Sequence, residues 1–124
     1  MALQQENDNN QQRAYHYVRI NSKMISQHEK KLVSMVVKLN DITDVEKKGT
    51  ILCTSPDMTI VGIRIMYKPK RKNASRYVEI KGRIVNGIIE AQTYDEWGNE
   101  FSFNQWNRLI ELSKQFPIIF GDTK

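Results

Sequence analysis

Residues 77–94 read YVEIKGRIVNGIIEAQTY. Val78, Ile80, Gly82 and Ile84 fall on one side of a period-two pattern, and Tyr77, Glu79, Lys81 and Arg83 on the other. That alternation is the pattern of a half-buried strand. Asn86-Gly87 follows, two residues that both tolerate the positive φ of a type I′ turn, so the chain is expected to return as a second strand from Ile88 to Tyr94.

Upstream of this hairpin three more strands are legible. Leu32 to Leu39 places Val33, Met35, Val37 and Leu39 on one face, and residues 50–55 (TILCTS) make a short second strand before the turn Ser55-Pro56-Asp57. From Met58 to Tyr67 the alternation changes parity, with Met58 and Ile60 leading and Val61, Ile63, Ile65 and Tyr67 taking over. Gly62 stands at the crossover, which predicts a bulge or sharp bend. The segment Ile20 to His28 reads as a short helical turn or an extended approach to the core. Five strands, one of them bent, predict an all-β domain built as a small closed barrel, for which the OB-fold is the commonest five-stranded candidate.

One helix follows the strands. Ser102 and Gln105 have capping-box spacing, and Phe101 and Trp106 stand at the positions of a hydrophobic staple. Phe103, Trp106, Leu109, Ile110, Leu112 and Phe116 cover an arc of about 180°, wider than the ~100° a helix needs to lie on one core, and Pro117 ends the run. The surplus predicts that the helix packs on its own barrel and also meets another helix, with Ser113 allowing close approach. A helix sunk deeply into one domain is the other reading. Residues 1–14, rich in Gln and Asn, are expected to form an unfolded tail. Residues 15–100 would then be the barrel, and 101–124 the helix and a short tail.

The chain has 124 residues and a formal net charge of +5, enough for one domain. The charge is localised. Residues 64–83 hold Arg64, Lys68, Lys70, Arg71, Lys72, Arg76, Lys81 and Arg83 against Glu79 alone, and the body outside this band and the tail is balanced. Arg64, Lys68, Lys70, Arg71, Lys72 and Arg76 are therefore the candidate nucleic-acid contacts. The same stretch also reads as a solvated loop, or, in KPKRK, as a nuclear import signal. No apolar run approaches a membrane span, and the polar N-terminus does not read as a secretory signal. One cysteine, Cys53, and two histidines, His16 and His28, offer no disulfide framework and no zinc module. No nucleophile–base pair or phosphate-cradling glycine loop is visible, so no cofactor, metal, small-molecule substrate or enzymatic activity is expected.

Four pieces carry a family resemblance: Arg19-Ile20-Asn21 with Met24-Ile25, the Val33 to Leu39 strand, Val78-Glu79-Ile80-x-Gly82-x-Ile84, and Trp106-Asn107-x-Leu109-Ile110 with Phe116-Pro117-x-x-Phe120. In order and spacing they resemble the smallest, third subunit of replication protein A, the heterotrimer that coats single-stranded DNA, and its telomere-associated paralogues. The resemblance implies an OB-fold whose C-terminal helix joins helices of the middle and large subunits. Phe103, Trp106, Leu109, Ile110, Leu112, Ser113 and Phe116 would then form the subunit interface. It also implies a nuclear protein of DNA replication, repair, recombination or telomere maintenance. The tail, the basic connection 68–76 and the turn Ser55-Pro56-Asp57 depart from the family pattern.

An OB-fold grips a strand with the face of its second and third strands and the loops joining strands 1–2 and 4–5, and stacking there needs aromatic rings. Between Val18 and Met66 there is no Phe, Tyr or Trp. The first loop carries Asp41, Asp44 and Glu46 against Lys47 and Lys48, and the last is only Asn86-Gly87. The chain therefore reads as a structural subunit whose partners supply most of the DNA affinity. A free-standing nucleic-acid-binding OB domain that uses the 64–83 band is the alternative.

Overall fold

The computed structural model describes residues 16–67 and 74–115. Six strands follow one another as β1 (Val18–Arg19), β2 (Leu32–Leu39), β3 (Gly49–Thr54), β4 (Ile60–Ile65), β5 (Tyr77–Val85) and β6 (Ile88–Glu96), and helix α1 (Phe103–Gln115) comes last. The hydrogen-bonded order is β1-β2-β3-β4-β6-β5, and β5 pairs back onto β2 to close the ring. β2 and β5 run antiparallel over seven residue pairs, from Leu32↔Arg83 to Lys38↔Tyr77, whereas β4 and β6 are parallel. This is a five-stranded OB-type barrel with one C-terminal helix. β1 is an added two-residue strand, parallel to β2, and is too short to leave any periodicity in the sequence.

The alternating residues point where the sequence placed them. Val33, Met35, Val37 and Leu39 of β2, Ile51 and Cys53 of β3, Val78, Ile80 and Ile84 of β5, and Ile89 of β6 are buried in one core, which Ile20 and Val45 complete from the connections. Each fully buried aliphatic side chain contributes about 1.5–3 kcal/mol. Closure of the ring therefore rests on this core.

The bulge expected at Gly62 is not there. β3 and β4 pair without a register shift from Gly49↔Ile65 to Thr54↔Ile60, Gly62 facing Leu52. Val61, Ile63 and Ile65 point inward, and Ile60 and Met58 lie outside, so the apparent change of parity came from two exposed apolar residues. The irregularity sits in β6, where Lys81 pairs with Thr93 but Gly82 pairs with Ala91, which leaves Gln92 as the extra residue. Inward parity accordingly passes from Ile89 and Ala91 to Tyr94. Gly82 makes the close approach possible, because a Cβ there would stand 1.9 Å from the Glu90 carbonyl oxygen.

The connection after β1 is a 3₁₀ helix, Ser22–His28, whose start is fixed by Asn21: its side-chain oxygen accepts the Lys23 N–H at 3.1 Å. Just beyond it, the Glu29 carboxylate accepts the N–H groups of Asn86 (2.6 Å) and Gly87 (3.0 Å). Both turn residues have positive φ, 54° and 77°, as expected of this hairpin.

Candidate subunit interface

Helix α1 lies across the outer face of β2. Trp106 (1% exposed) and Ile110 (2%) cover Val36, an outward residue of β2, with Met24, Tyr77, Phe101 and Phe103 around them. The Trp106 indole N–H donates to the Ile20 carbonyl at 2.9 Å. On one flank of the helix, the Asn107 amide donates to the Pro56 carbonyl at 3.0 Å, and the Asn21 amide reaches the Asn107 oxygen at 3.4 Å. The helix is thus tied to both the 3₁₀ helix and the β3–β4 turn. Asp57 joins those two segments to each other: it accepts from the Ser22 N–H (3.2 Å), the Ser22 hydroxyl (2.6 Å) and the Ser55 hydroxyl. Burial alone would raise the Asp57 carboxyl, but the hydrogen bonds from Ser22 and Ser55 outweigh it and hold the group below the usual carboxylate value.

The wide apolar arc therefore divides in two. Trp106 and Ile110 are engaged by the chain's own barrel, and Ser113 is buried with its hydroxyl donating back to the Leu109 carbonyl at 2.9 Å. Leu109 and Leu112 are half-buried and Gln105 is exposed. These three recur at spacings of four and three, the interval of a helix-pairing seam. Phe103 is half-buried and packs edge-on to Tyr77 at 5.5 Å. Phe116 lies outside the described residues.

The N-terminal end of α1 carries an aromatic cluster whose central member sequence reasoning passed over. Trp97, in the turn between β6 and α1, stands between the two staple residues, 4.7 Å from the Phe101 ring and 6.1 Å from the Trp106 ring. It is 38% exposed, and its indole N–H donates to Glu79 at 3.2 Å. A tryptophan in an otherwise polar turn, four residues ahead of a helix staple, was the available signal.

Of the candidate nucleic-acid contacts, Lys68, Lys70, Arg71 and Lys72 lie outside the described residues, as does the 1–14 tail. Arg76 is engaged within the fold, its guanidinium donating to the Leu39 and Asn40 carbonyls at 3.1 Å each. Arg64 reaches Glu90 at 3.5 Å and stays substantially exposed. The outer face of β3 and β4 presents Leu52 and Ile60 (each 57% exposed), and no aromatic ring stands on either strand. Tyr67 (68% exposed) stands just past the end of β4. The β2–β3 loop satisfies itself: Asp41 accepts from the Thr43 N–H and hydroxyl, which holds its carboxyl below the usual value, and Asp44 pairs with Lys47 at 3.2 Å.

Cys53 is buried, and burial pushes its thiol up to about 12, so it is not a nucleophile. Burial likewise raises Tyr94 to about 12. Among the described residues no group of three or more His, Cys, Asp or Glu side chains is placed to hold a metal ion, and no helix is long and apolar enough to cross a membrane.

The profile of the family described as Replication factor A protein 3 matches residues 12–120. The chain belongs to that family. Among solved structures, the fold is similar to a chain in the structure of U. maydis replication protein A bound to ssDNA, with a TM-score of 0.70 and 22% identity over 84% of this chain and 94% of that one. It is also similar to the telomere capping protein Ten1 from Saccharomyces pombe, with a TM-score of 0.62 and 9% identity over 81% and 99%. At these identities the likeness speaks for the fold. Among curated proteins none matches by sequence. Members of the replication factor A protein 3 family are subunits of a single-stranded-DNA-binding complex, and this chain is one of them.

Proposed function

We propose that this subunit acts chiefly in assembly, with α1 packing against helices of the middle and large subunits of a replication protein A-like heterotrimer. The observation that carries the reading is the division of α1: Trp106 and Ile110 anchor it to the barrel, while Gln105, Leu109 and Leu112 form an outward row at pairing intervals. Phe116 continues that row in the sequence. A helix fixed on one side and carrying Leu109 and Leu112 on the other suits a shared bundle. In this role the chain is nuclear and serves DNA replication, repair, recombination or telomere maintenance, and its partners supply most of the grip on single-stranded DNA.

Co-expression with the middle subunit tests this. Leu109→Asp with Leu112→Asp is expected to leave the barrel folded and to abolish co-purification. A complex that persists would overturn the assembly role. Ile110 is unsuitable for this test, because an Asp there would be buried against Val36.

A second reading takes the 64–83 band as a direct contact with the DNA backbone, favoured by exposed Tyr67 beside the basic connection. Charge reversal at Lys70, Arg71 and Lys72 separates the two. Unchanged DNA affinity of the assembled trimer leaves the band out of binding.

A further inference from the structure

The two flanks of α1 differ. Asn107 is tied to Asn21 and Pro56 on the side of the 3₁₀ helix and the β3–β4 turn. Leu109 lies about 160° round the helix from Asn107, at 100° per residue, and is therefore on the opposite flank, the side on which β5 borders β2. The β5 residue beside Val36 is its Cα partner Glu79, which projects outward because Val78 and Ile80 point into the core.

Glu79 is half-buried, and its carboxylate receives two neutral donors, the Trp97 indole N–H at 3.2 Å and the Ser34 hydroxyl. Among the described residues no cation pairs with it. The neighbouring lysines are engaged elsewhere: Lys81 pairs with Asp95 at 3.3 Å, and Lys38 lies over the Tyr77 ring at 5.9 Å. A carboxylate offers about four acceptor sites, so this one keeps unused acceptor capacity. Trp97 stands over it, exposed on one side and held on the other by Phe101 and Trp106.

We infer that Leu109 and Leu112 on the helix, with Trp97 and the Glu79 carboxylate on the barrel, border one furrow between α1 and β5, and that this furrow seats an α-helix of the partner subunit, with Trp97 as its barrel-side anchor and an Arg or Lys of that helix paired to Glu79. The inference rests on reading α1 as the assembly helix, and extends that interface from the helix onto the barrel. Two features select this occupant. The apolar border suits the seam of an amphipathic helix, and the Glu79 carboxylate, without a cation of its own among the described residues and opposite Asp95 on β6, selects a cationic side chain and opposes phosphate. Rigid, partly exposed tryptophan held by other aromatics is the residue type that most often dominates such contacts.

The test measures dissociation of the complex between the full chain and its middle subunit. Trp97→Ala is expected to weaken it about 30-fold or more. Glu79→Gln, which keeps one oxygen to accept the Trp97 indole N–H and places an amide NH2 that the Ser34 hydroxyl can accept from, removes the charge and is expected to weaken it about 10-fold. Glu79→Lys is expected to abolish it, with rescue by Arg→Glu or Lys→Glu in the partner helix. Because Trp97→Ala also loosens the aromatic cluster, Glu79→Gln at unchanged melting temperature is the deciding variant. If Glu79→Gln binds like the wild type while Leu109→Asp fails to bind, the barrel-side contact is wrong and the helix seam stands. If Leu109→Asp also binds normally, the assembly reading itself fails. Binding of single-stranded oligonucleotide that competes with the middle subunit and is lost in Trp97→Ala would instead make the furrow a nucleic-acid site and overturn the inference.

Discussion

At Gly82 the two strands of the hairpin come so close that a methyl group would overlap the Glu90 carbonyl. Gly82→Ala is therefore expected to destabilise the fold by about 3 kcal/mol, the upper end of overpacking costs. Gly62 is the contrast: a Cβ there meets the Thr50 methyl at an ordinary 3.5 Å, so Gly62→Ala is expected to be neutral or to stabilise by about 0.5 kcal/mol. Chemical denaturation of the two variants checks the pair, and equal effects would refute the assignment of the bulge. The sequence pointed to Gly62 because Met58 and Ile60 are apolar without being buried, and nothing in their identity reveals exposure. Gly82, in a clean alternation, hid a requirement set by a carbonyl on the neighbouring strand. Asp57 was equally hidden, since its partners Ser22 and Ser55 are 35 and two residues away. A carboxyl depressed in the fold contributes fully above the unfolded value of about 3.9 and loses that contribution as the pH falls through the lower folded value. Asp57→Asn is accordingly expected to cost about 1–2 kcal/mol at pH 7, with the gap to the wild type narrowing below about pH 4. Thermal melts at pH 7 and pH 3 measure this, and a gap independent of pH would count against the assignment.

The strands were legible as elements because each has one face in the barrel core, and a period of two survives any arrangement of partners. Order and closure were legible only by analogy with the OB-fold: the parallel pairing of β4 with β6 leaves no trace within either strand. Helix α1 shows the same limit. Its arc announced two contacts, but not which residues serve which. Trp106 and Leu109 both lie within it, and the groups that orient the helix, the Val36 side chain and the Pro56 carbonyl, come from distant parts of the chain. Trp106→Ala is expected to destabilise the isolated chain by about 3–5 kcal/mol, through the lost packing on Val36 and the unsatisfied Ile20 carbonyl. Leu112→Ala should cost about 1 kcal/mol or less, as a half-exposed position does. Equal losses in thermal or chemical denaturation would mean that the helix sits on the barrel differently from the geometry described above.

As a whole the molecule combines a neutral barrel, a basic connection and a helix with two faces. The net charge of +5, taken alone, suggests a protein that grips nucleic acid itself. Yet β3 and β4 offer aliphatic side chains where bases would need rings, and Arg76 serves the fold. The isolated chain is therefore expected to bind single-stranded oligonucleotide only in the non-specific range, about 10⁻⁴–10⁻⁶ M at physiological salt. Nanomolar binding in a titration at that salt would reverse the balance of roles. The pairing of β2 has a further consequence, for the moment of synthesis. β2 meets β3 through only Lys38↔Thr54 and Leu39↔Cys53, and meets β5 through seven pairs. A ribosome that has finished Leu39 must add the residues up to Arg83 before that ladder can form. At about 5–20 residues per second this delay lasts roughly 2–9 s. Throughout it Val33 to Leu39 is an apolar strand with most of its edges open, the kind of segment that chaperones hold and that aggregates when they are scarce.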